Sequence, residues 1–286
     1  MERSDDSRGT HLRSSHLMRP WGQLRVWQAG EGPHLLLIHG LGGSGRYWQS
    51  LSEAVATHFH LIAPDLAGFG GSSSNARSFD RGSHLEDIDT VVDHFAPSGE
   101  VVVVGHSLGG LLGALWTGRS RERVAGLAVV AAPFPQSQAP AWLDPVKPSS
   151  ARRALQRTAR LVVPVIAVPL GLARGYPLPM VVDFTRQTAQ SREGTMRSLL
   201  GDPKVAEEVA GLRGLDAATP VLLLAASDDR LVSPRALQGW SALLPRAETH
   251  LLDGGHQLLL RGGLEVLVFW LNAVARDMPP HEVGPA

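Results

Sequence analysis

A serine between two glycines is the residue best suited to covalent chemistry in this sequence. Ser107 lies in Gly105-His106-Ser107-Leu108-Gly109, directly after an apolar run at residues 101–104 and directly before an Ala/Leu/Gly-rich segment. A serine hydroxyl is a weak nucleophile unless a base removes its proton and hydrogen-bond donors hold the developing oxyanion. Flanking glycines allow a strand to turn sharply into a helix and expose the serine oxygen at the turn. We therefore predict that Ser107 is a nucleophile.

A second glycine-rich turn could supply donors for the oxyanion. His39-Gly40-Leu41-Gly42-Gly43 directly follows an apolar run that ends at Ile38. The backbone N–H groups of Leu41 and Leu108 are the two donors we predict for an oxyanion hole, although a simple strand-to-helix turn also uses glycine. Four neighbouring residues are expected to support the loop or line a pocket: His39, Gly40, Gly42 and His106.

The base and its orienting acid are expected late in the chain. His256 follows a predicted strand at 249–252 and precedes the last helical segment. The loop at the carboxyl end of a strand is where ligands bind in open α/β sheets. Another apolar run, at 221–225, is followed by Asp228 and Asp229, either of which could accept the imidazole N–H. The other carboxylate would then be a turn or helix-capping residue.

The pattern of the remaining chain predicts the fold that positions these groups. Buried strands of a parallel sheet are expected at the near-continuous apolar runs 34–38, 61–63, 101–104, 127–131 and 221–225. Alternation at 24–28 predicts a half-exposed antiparallel edge strand. Helical spacing is found at 47–58, 83–95, 108–118, 234–244 and 264–275, and Ser83 with Glu86 has the form of a capping box. Alternating strands and helices predict an α/β fold with a doubly wound, mostly parallel sheet.

The middle of the chain interrupts this alternation. Residues 135–218 show no clear strand and are expected to form a mostly helical insertion in a core made of 19–134 and 219–277. Apolar stretches at 161–173 and 177–182 could line a hydrophobic pocket or pack on the core. Residues 144–213 contain eleven basic and six acidic residues. This excess of positive charge could attract an anionic substrate, or it could belong to a solvated helix surface. Residues 1–18 are expected to be an N-terminal segment that is partly disordered. Residues 278–286 are expected to be a flexible tail.

Composition excludes several classes of function. The 286 residues contain no cysteine, which excludes disulfides, thiolate metal sites and a cysteine nucleophile. Lys plus Arg and Asp plus Glu are 27 each, so bulk charge gives no support for a nucleic-acid partner. We find no secretory signal and no apolar run long enough to span a bilayer, which favours a cytoplasmic protein. No cofactor and no metal are expected, because the chemistry predicted for Ser107 needs neither.

Five motifs in one order resemble the α/β-hydrolase superfamily over residues 24–275. They are His39-Gly40, the segment 64–72 (PDLAGFGGS), Gly105-His106-Ser107-Leu108-Gly109-Gly110, Asp229-Arg230-Leu231-Val232 and Gly255-His256. The resemblance implies the order Ser107, Asp229, His256 for a catalytic triad and favours Asp229 over Asp228 as its acid. It also implies that the insertion is the lid of this superfamily. The sequence departs from the family pattern at Ala226, where relatives often have glycine. A serine at position 107 also disfavours epoxide hydrolase and haloalkane dehalogenase activity, because the enzymes of this fold with those activities attack with an aspartate.

The predicted activity is that of a carboxylesterase-like hydrolase (EC 3.1) acting on a largely hydrophobic small molecule. Ser107 would attack an ester, thioester or lactone and form an acyl-enzyme, which water releases. The same triad could instead serve a lyase or cyclase by proton transfer alone, and a perhydrolase is chemically close to the esterase. A low-turnover ligand receptor on this fold is a third class. The sequence does not fix the oligomeric state.

Overall fold

One eight-stranded sheet forms the centre of the protein in the computed structural model, which describes residues 9–72, 78–135, 177–260 and 262–278. The strands, in chain order, are β1 Arg13–Arg19, β2 Gly22–Ala29, β3 His34–Ile38, β4 His60–Pro64, β5 Val101–His106, β6 Val124–Val130, β7 Val221–Ala226 and β8 Glu248–Leu252. They lie in the order β1-β2-β4-β3-β5-β6-β7-β8. Pairing is antiparallel at β1/β2 and β2/β4 and parallel in all other pairs. The predicted mostly parallel α/β sheet is therefore confirmed.

Eight α-helices accompany these strands in the described parts of the chain. They are α1 Gln49–Val55, α2 Arg81–Phe95, α3 Leu108–Arg119, α4 Leu178–Arg186, α5 Ala189–Leu200, α6 Lys204–Val209, α7 Arg235–Leu243 and α8 Gly263–Asp277. Three-residue to five-residue 3₁₀ turns occur at Gly45–Trp48, Arg121–Arg123, Ala210–Gly214 and Leu258–Leu260. The predicted insertion corresponds in part to α4, α5 and α6, while its residues 136–176, including the apolar stretch 161–173, lie outside the described residues.

Both faces of the sheet are covered, which explains the continuous apolar strands. In β5, Val101 and Val103 belong to the hydrophobic cluster that contains residues of α2, α3 and α7. Val102 and Val104 point to the other face and join the cluster that contains residues of α1 and α8. All four valines are completely buried. A strand covered on both faces needs apolar residues at every position, and this requirement made the central strands recognisable from the sequence.

Two local predictions are wrong. The alternating segment 24–28 is antiparallel, as expected, but it is not the edge of the sheet, because β1 pairs with β2 along its whole length. The mostly exposed strand β1 has a polar sequence, lies partly within the N-terminal segment 1–18 and gave no strand pattern. Helix α2 does not begin with a capping box at Ser83: Asp80 is the N-cap, and its side chain accepts a hydrogen bond from the Ser83 N–H at 2.8 Å.

Candidate active site

The turn between β5 and α3 holds Ser107 in a backbone conformation that few residues adopt. Ser107 has φ 56° and ψ −126°, and it is one of two non-glycine residues with positive φ in the described chain. Its N–H donates to Val130 O at 2.8 Å, and its carbonyl accepts from Gly110 N–H at 2.9 Å. Strain of this kind persists only where the surrounding structure imposes it, and it is concentrated at functional sites.

The glycines beside Ser107 are required by close backbone approach. A Cβ on Gly105 would lie 2.3 Å from Gly109 O, and one on Gly109 would lie 2.2 Å from Ile38 O. Helix α3 can therefore begin against the ends of β3 and β5 only when both positions lack a side chain. This contact brings the amino end of α3 to the carboxyl edge of the sheet.

Three side chains from three separate segments form one hydrogen-bonded chain. His256 Nε2 lies 2.9 Å from Ser107 Oγ, and His256 Nδ1 lies 2.7 Å from Asp229 Oδ2. The carboxylate can only accept, so Nδ1 carries the proton and Nε2 is left to accept from the serine hydroxyl. The three residues follow β5, β7 and β8, whose carboxyl ends lie on the same edge of the sheet.

The second oxygen of Asp229 is also fully engaged. Asp229 Oδ1 accepts from the backbone N–H groups of Leu231 at 2.8 Å and Val232 at 2.9 Å. Burial alone would raise the pKa of the Asp229 carboxyl, but the His256 hydrogen bond and charge and these two N–H groups outweigh burial and lower the pKa. Asp229 is therefore an anion held in one orientation toward His256. The neighbouring Asp228 is exposed and does not contact the imidazole through any hydrogen bond seen in the described chain.

The predicted oxyanion donors, Leu41 on the loop after β3 and Leu108 at the start of α3, both lie next to Ser107. A Cβ on Gly40 would lie 3.0 Å from Ser107 Cβ, so the loop after β3 adjoins the serine directly. A hydrogen bond from Gly43 N–H to Gly40 O, at 3.0 Å, closes the turn that contains Leu41. Leu108 is the first residue of α3, where a backbone N–H has no partner within the helix. Within the described residues, the structure shows no acceptor for the N–H of either leucine.

His39 is bonded through both ring nitrogens. Its Nε2 accepts from the Leu66 N–H at 3.0 Å, so Nδ1 carries the proton and donates to Gly40 O at 2.7 Å. Complete burial lowers the pKa of His39, which keeps the ring neutral and both bonds in place. The hydrogen bonds tie the loop after β3 to the loop after β4.

His106 contacts the backbone of His256. Its Nε2 lies 2.9 Å from the His256 carbonyl oxygen, to which it donates. The ring stacks on Tyr47, with centroids 4.8 Å apart and an interplanar angle of 26°. Burial, together with the adjacent His256, lowers the pKa of His106 to about 3, so the ring is neutral near pH 7. It lies beside the imidazole of His256, with ring centroids 4.9 Å apart.

Sequence reasoning missed a buried carboxylate that organises this edge of the sheet. Asp65 accepts hydrogen bonds from Gly45 N–H and Gly71 N–H, both at 2.7 Å, and from Trp27 Nε1 at 3.0 Å. Arg25 Nε also donates to it, at 2.8 Å. The residue belongs to the motif at 64–72, so a signal was present, but the motif alone does not reveal that the Asp65 side chain bonds to strand β2 and to the backbone at Gly45 and Gly71. Ser44 and Asp183, which join the same network, carried no signal.

The described residues contain no group of three or more His, Cys, Asp or Glu side chains arranged to hold a metal ion. Among the helices that the structure describes, none is long and apolar enough to cross a membrane.

Comparison with known proteins shows the family to which the chain belongs. A family model described as alpha/beta hydrolase fold matches residues 33–262. The chain is 28% identical over 258 residues to the magnesium-chelatase 30 kDa subunit of Rhodobacter capsulatus, covering 85% of this chain and 88% of that protein. It is 28% identical over 233 residues to 2-(acetamidomethylene)succinate hydrolase of Mesorhizobium japonicum, covering 78% and 80%. A putative lipase from Acinetobacter baumannii has a similar fold, with TM-score 0.73 and 21% identity over 97% of this chain and 99% of that one.

Proposed function

Because the chain belongs to the alpha/beta hydrolase fold family, we propose that it is a serine hydrolase that forms an acyl-enzyme on Ser107. The observation that carries the proposal is the hydrogen-bonded chain from Asp229 through His256 to Ser107. A nucleophile, a base and an orienting acid within hydrogen-bond reach are the arrangement that activates a serine.

The proposed reaction has two steps. His256 Nε2 takes the proton of Ser107 Oγ as the oxygen attacks the carbonyl carbon, and the Leu41 and Leu108 N–H groups hold the oxyanion. The tetrahedral intermediate collapses to the acyl-enzyme as His256 returns the proton to the departing alcohol or thiol. Water then attacks the acyl carbon, again with His256 as base, and the acid leaves as Ser107 regains its proton. Asp229 stabilises the imidazolium formed in each step.

We propose an ester, thioester or lactone of a largely hydrophobic small molecule as substrate. Apolar side chains near the site support this class: Phe184 is 44% exposed and Leu231 is 60% exposed. Phe184 lies against Gly42 of the loop after β3, and Leu231 directly follows the Asp229-Arg230 step.

Hydrolysis of p-nitrophenyl esters of graded acyl length tests the proposal. Ser107→Ala should lower kcat by about 10⁴-fold or more, since the nucleophile and the covalent route are lost together. Ser50→Ala, at an exposed position of α1, is the matched control and should retain wild-type kcat. Activity of Ser107→Ala equal to that of the control would refute the proposal. Turnover of lactones or thioesters in preference to simple esters would refine the substrate class.

A further inference from the structure

A lid helix inserts a buried carboxylate beside the loop that carries Leu41. Asp183, on α4, is completely buried, and its Oδ2 accepts a hydrogen bond from Ser44 Oγ at 2.6 Å. The two residues are 139 positions apart in the chain. Ser44 is itself buried and lies three residues after Leu41 in the loop between β3 and the 3₁₀ turn Gly45–Trp48.

Three guanidinium groups compensate the buried charge of Asp183. Its Oδ1 accepts from Arg186 Nη1 at 3.2 Å and lies 3.9 Å from Arg25 Nη2. Its Oδ2 lies 3.8 Å from Arg46 Nε. A carboxylate in an apolar interior is costly unless it is paired and hydrogen-bonded, so this arrangement gives Asp183 one strongly preferred position.

The same helix makes a second contact with the loop. A Cβ on Gly42 would lie 2.6 Å from Phe184 Cδ2 and 2.7 Å from Gln187 Nε2. Gly42 has φ +74°, which favours glycine on backbone grounds as well. The end of α4 therefore rests on the backbone next to Leu41, and no side chain can be placed between them.

The carboxyl-terminal side of the loop is thus held by two carboxylates from different parts of the protein. Asp65 of the core accepts from Gly45 N–H at 2.7 Å, and Asp183 of the lid accepts from Ser44 Oγ. Arg25 joins the two, because its Nη2 lies 2.8 Å from Asp65 Oδ2. The position of the loop depends on the lid helix as well as on the sheet.

We propose that Asp183 is a positioning residue that acts through Ser44 to hold the Leu41 N–H toward the oxyanion formed at Ser107. In this arrangement the oxyanion hole is complete only while α4 is seated on the loop. The inference rests on the proposed function, since an oxyanion hole matters only if Ser107 attacks a carbonyl carbon. A lid residue would then contribute to the rate of the chemical step, and not only to substrate binding.

The experiment measures kcat and KM for p-nitrophenyl ester hydrolysis in Ser44→Ala, Asp183→Asn and the double variant. A donor misplaced by about 1 Å can cost on the order of 100-fold, so each single variant should lose roughly 10-fold to 100-fold in kcat with KM little changed. The loss in the double variant should be close to the larger single loss, because both changes break one connection. The rate at which a fluorophosphonate modifies Ser107 should fall in parallel, since that attack also places negative charge on an oxygen in the hole.

A matched control separates this positioning role from a general effect of weakened contacts between the lid and the core. Arg81, on α2, joins the core to the insertion through Ser198 O and Asp202, both at 3.0 Å. Arg81→Gln should lower Tm while kcat per folded molecule stays at the wild-type value. Equal losses of kcat in Arg81→Gln and Ser44→Ala would overturn the inference, because any loosening of the lid would then have the same effect.

Two further outcomes distinguish failure of the positioning role from failure of the proposed function. Wild-type kcat in folded Ser44→Ala would overturn the role of Asp183 even if Asp183→Asn fails to fold. Ser107→Ala is measured in the same assay: if it keeps activity, the proposed function itself is wrong. If Ser107→Ala is inactive while Ser44→Ala is unaffected, only the positioning role is lost.

Discussion

Replacing Asp229 by asparagine should reverse the donor and acceptor roles of the two His256 ring nitrogens and so prevent His256 from accepting the proton of Ser107. Asp229 Oδ1 accepts from the N–H groups of Leu231 and Val232, and Oδ2 accepts from His256 Nδ1. An asparagine must keep its carbonyl oxygen on the two backbone donors, which turns its NH₂ group toward Nδ1. Two donors cannot face each other, so the imidazole takes the tautomer that carries its proton on Nε2. That nitrogen can then no longer accept the proton of Ser107.

The expected loss follows from this change of tautomer. Removal of the orienting carboxylate with the geometry kept lowers kcat by about 10³-fold to 10⁴-fold, which corresponds to about 4 to 5.5 kcal/mol in the activation free energy. KM should change little, because Asp229 is nearly buried and lies behind His256. Since the two side chains have the same shape and Oδ1 keeps its donors, Tm should fall by no more than about 4 °C.

Steady-state hydrolysis of a p-nitrophenyl ester measures the effect, and the adjacent carboxylate gives the control. Asp228→Asn changes an exposed residue without a hydrogen bond to His256 and should keep wild-type kcat. The assignment of Asp229 as the orienting acid would be refuted if Asp229→Asn lost less than tenfold in kcat, or if Asp228→Asn lost more kcat than Asp229→Asn.

Two other expectations concern stability. Burial lowers the pKa of His106 in the folded protein to about 3, against an ordinary value of 6.5, so between these two values only the unfolded chain binds the proton. The free energy of unfolding should therefore fall as pH is lowered from about 6.5, by up to about 1.4 kcal/mol per pH unit for this group. His106→Gln keeps a donor for the His256 carbonyl but does not titrate, so urea unfolding between pH 7 and pH 5 should show a smaller slope; equal slopes would contradict the account. Gly109→Ala should cost about 3 kcal/mol or more, because its Cβ would meet Ile38 O at 2.2 Å. Gly118→Ala on the same helix is the control, because a Cβ there would lie 3.5 Å from its nearest neighbour, Glu208 O. This variant should be neutral or more stable by up to about 1 kcal/mol. Equal stabilities of the two variants would exclude the close contact at Gly109.

The central strands and the turn at Ser107 could be predicted because their physical requirements are local. Strand β5 is apolar at each of its first four positions since both faces of the sheet are covered. The turn after it needs glycine on both sides of the serine, and both glycines are visible in the sequence. His256 was found by the same logic, as a histidine in a glycine-rich loop after a strand.

The elements that could not be predicted depend on partners far along the chain. Strand β1 has a polar sequence and exists because β2 offers it an unpaired edge, a property of the sheet and not of residues 13–19. No motif surrounds Asp183 in the sequence. Its hydrogen-bond partner Ser44 lies 139 positions earlier in the chain. At the start of α2, Asp80 and Ser83 are both good capping residues, and only the structure shows which one accepts from the helix backbone.

Mass spectrometry of the enzyme quenched during turnover shows directly whether an acyl-enzyme forms on Ser107. During hydrolysis of a p-nitrophenyl acyl ester, the acyl-enzyme mechanism predicts a substrate-derived acyl group on the peptide that contains Ser107, and its absence in Ser107→Ala. Pre-treatment with a fluorophosphonate should modify the same serine and prevent acylation. Steady turnover with an unmodified Ser107, or an acyl group on a different residue, would contradict the acyl-enzyme mechanism and favour chemistry in which His256 acts by proton transfer alone.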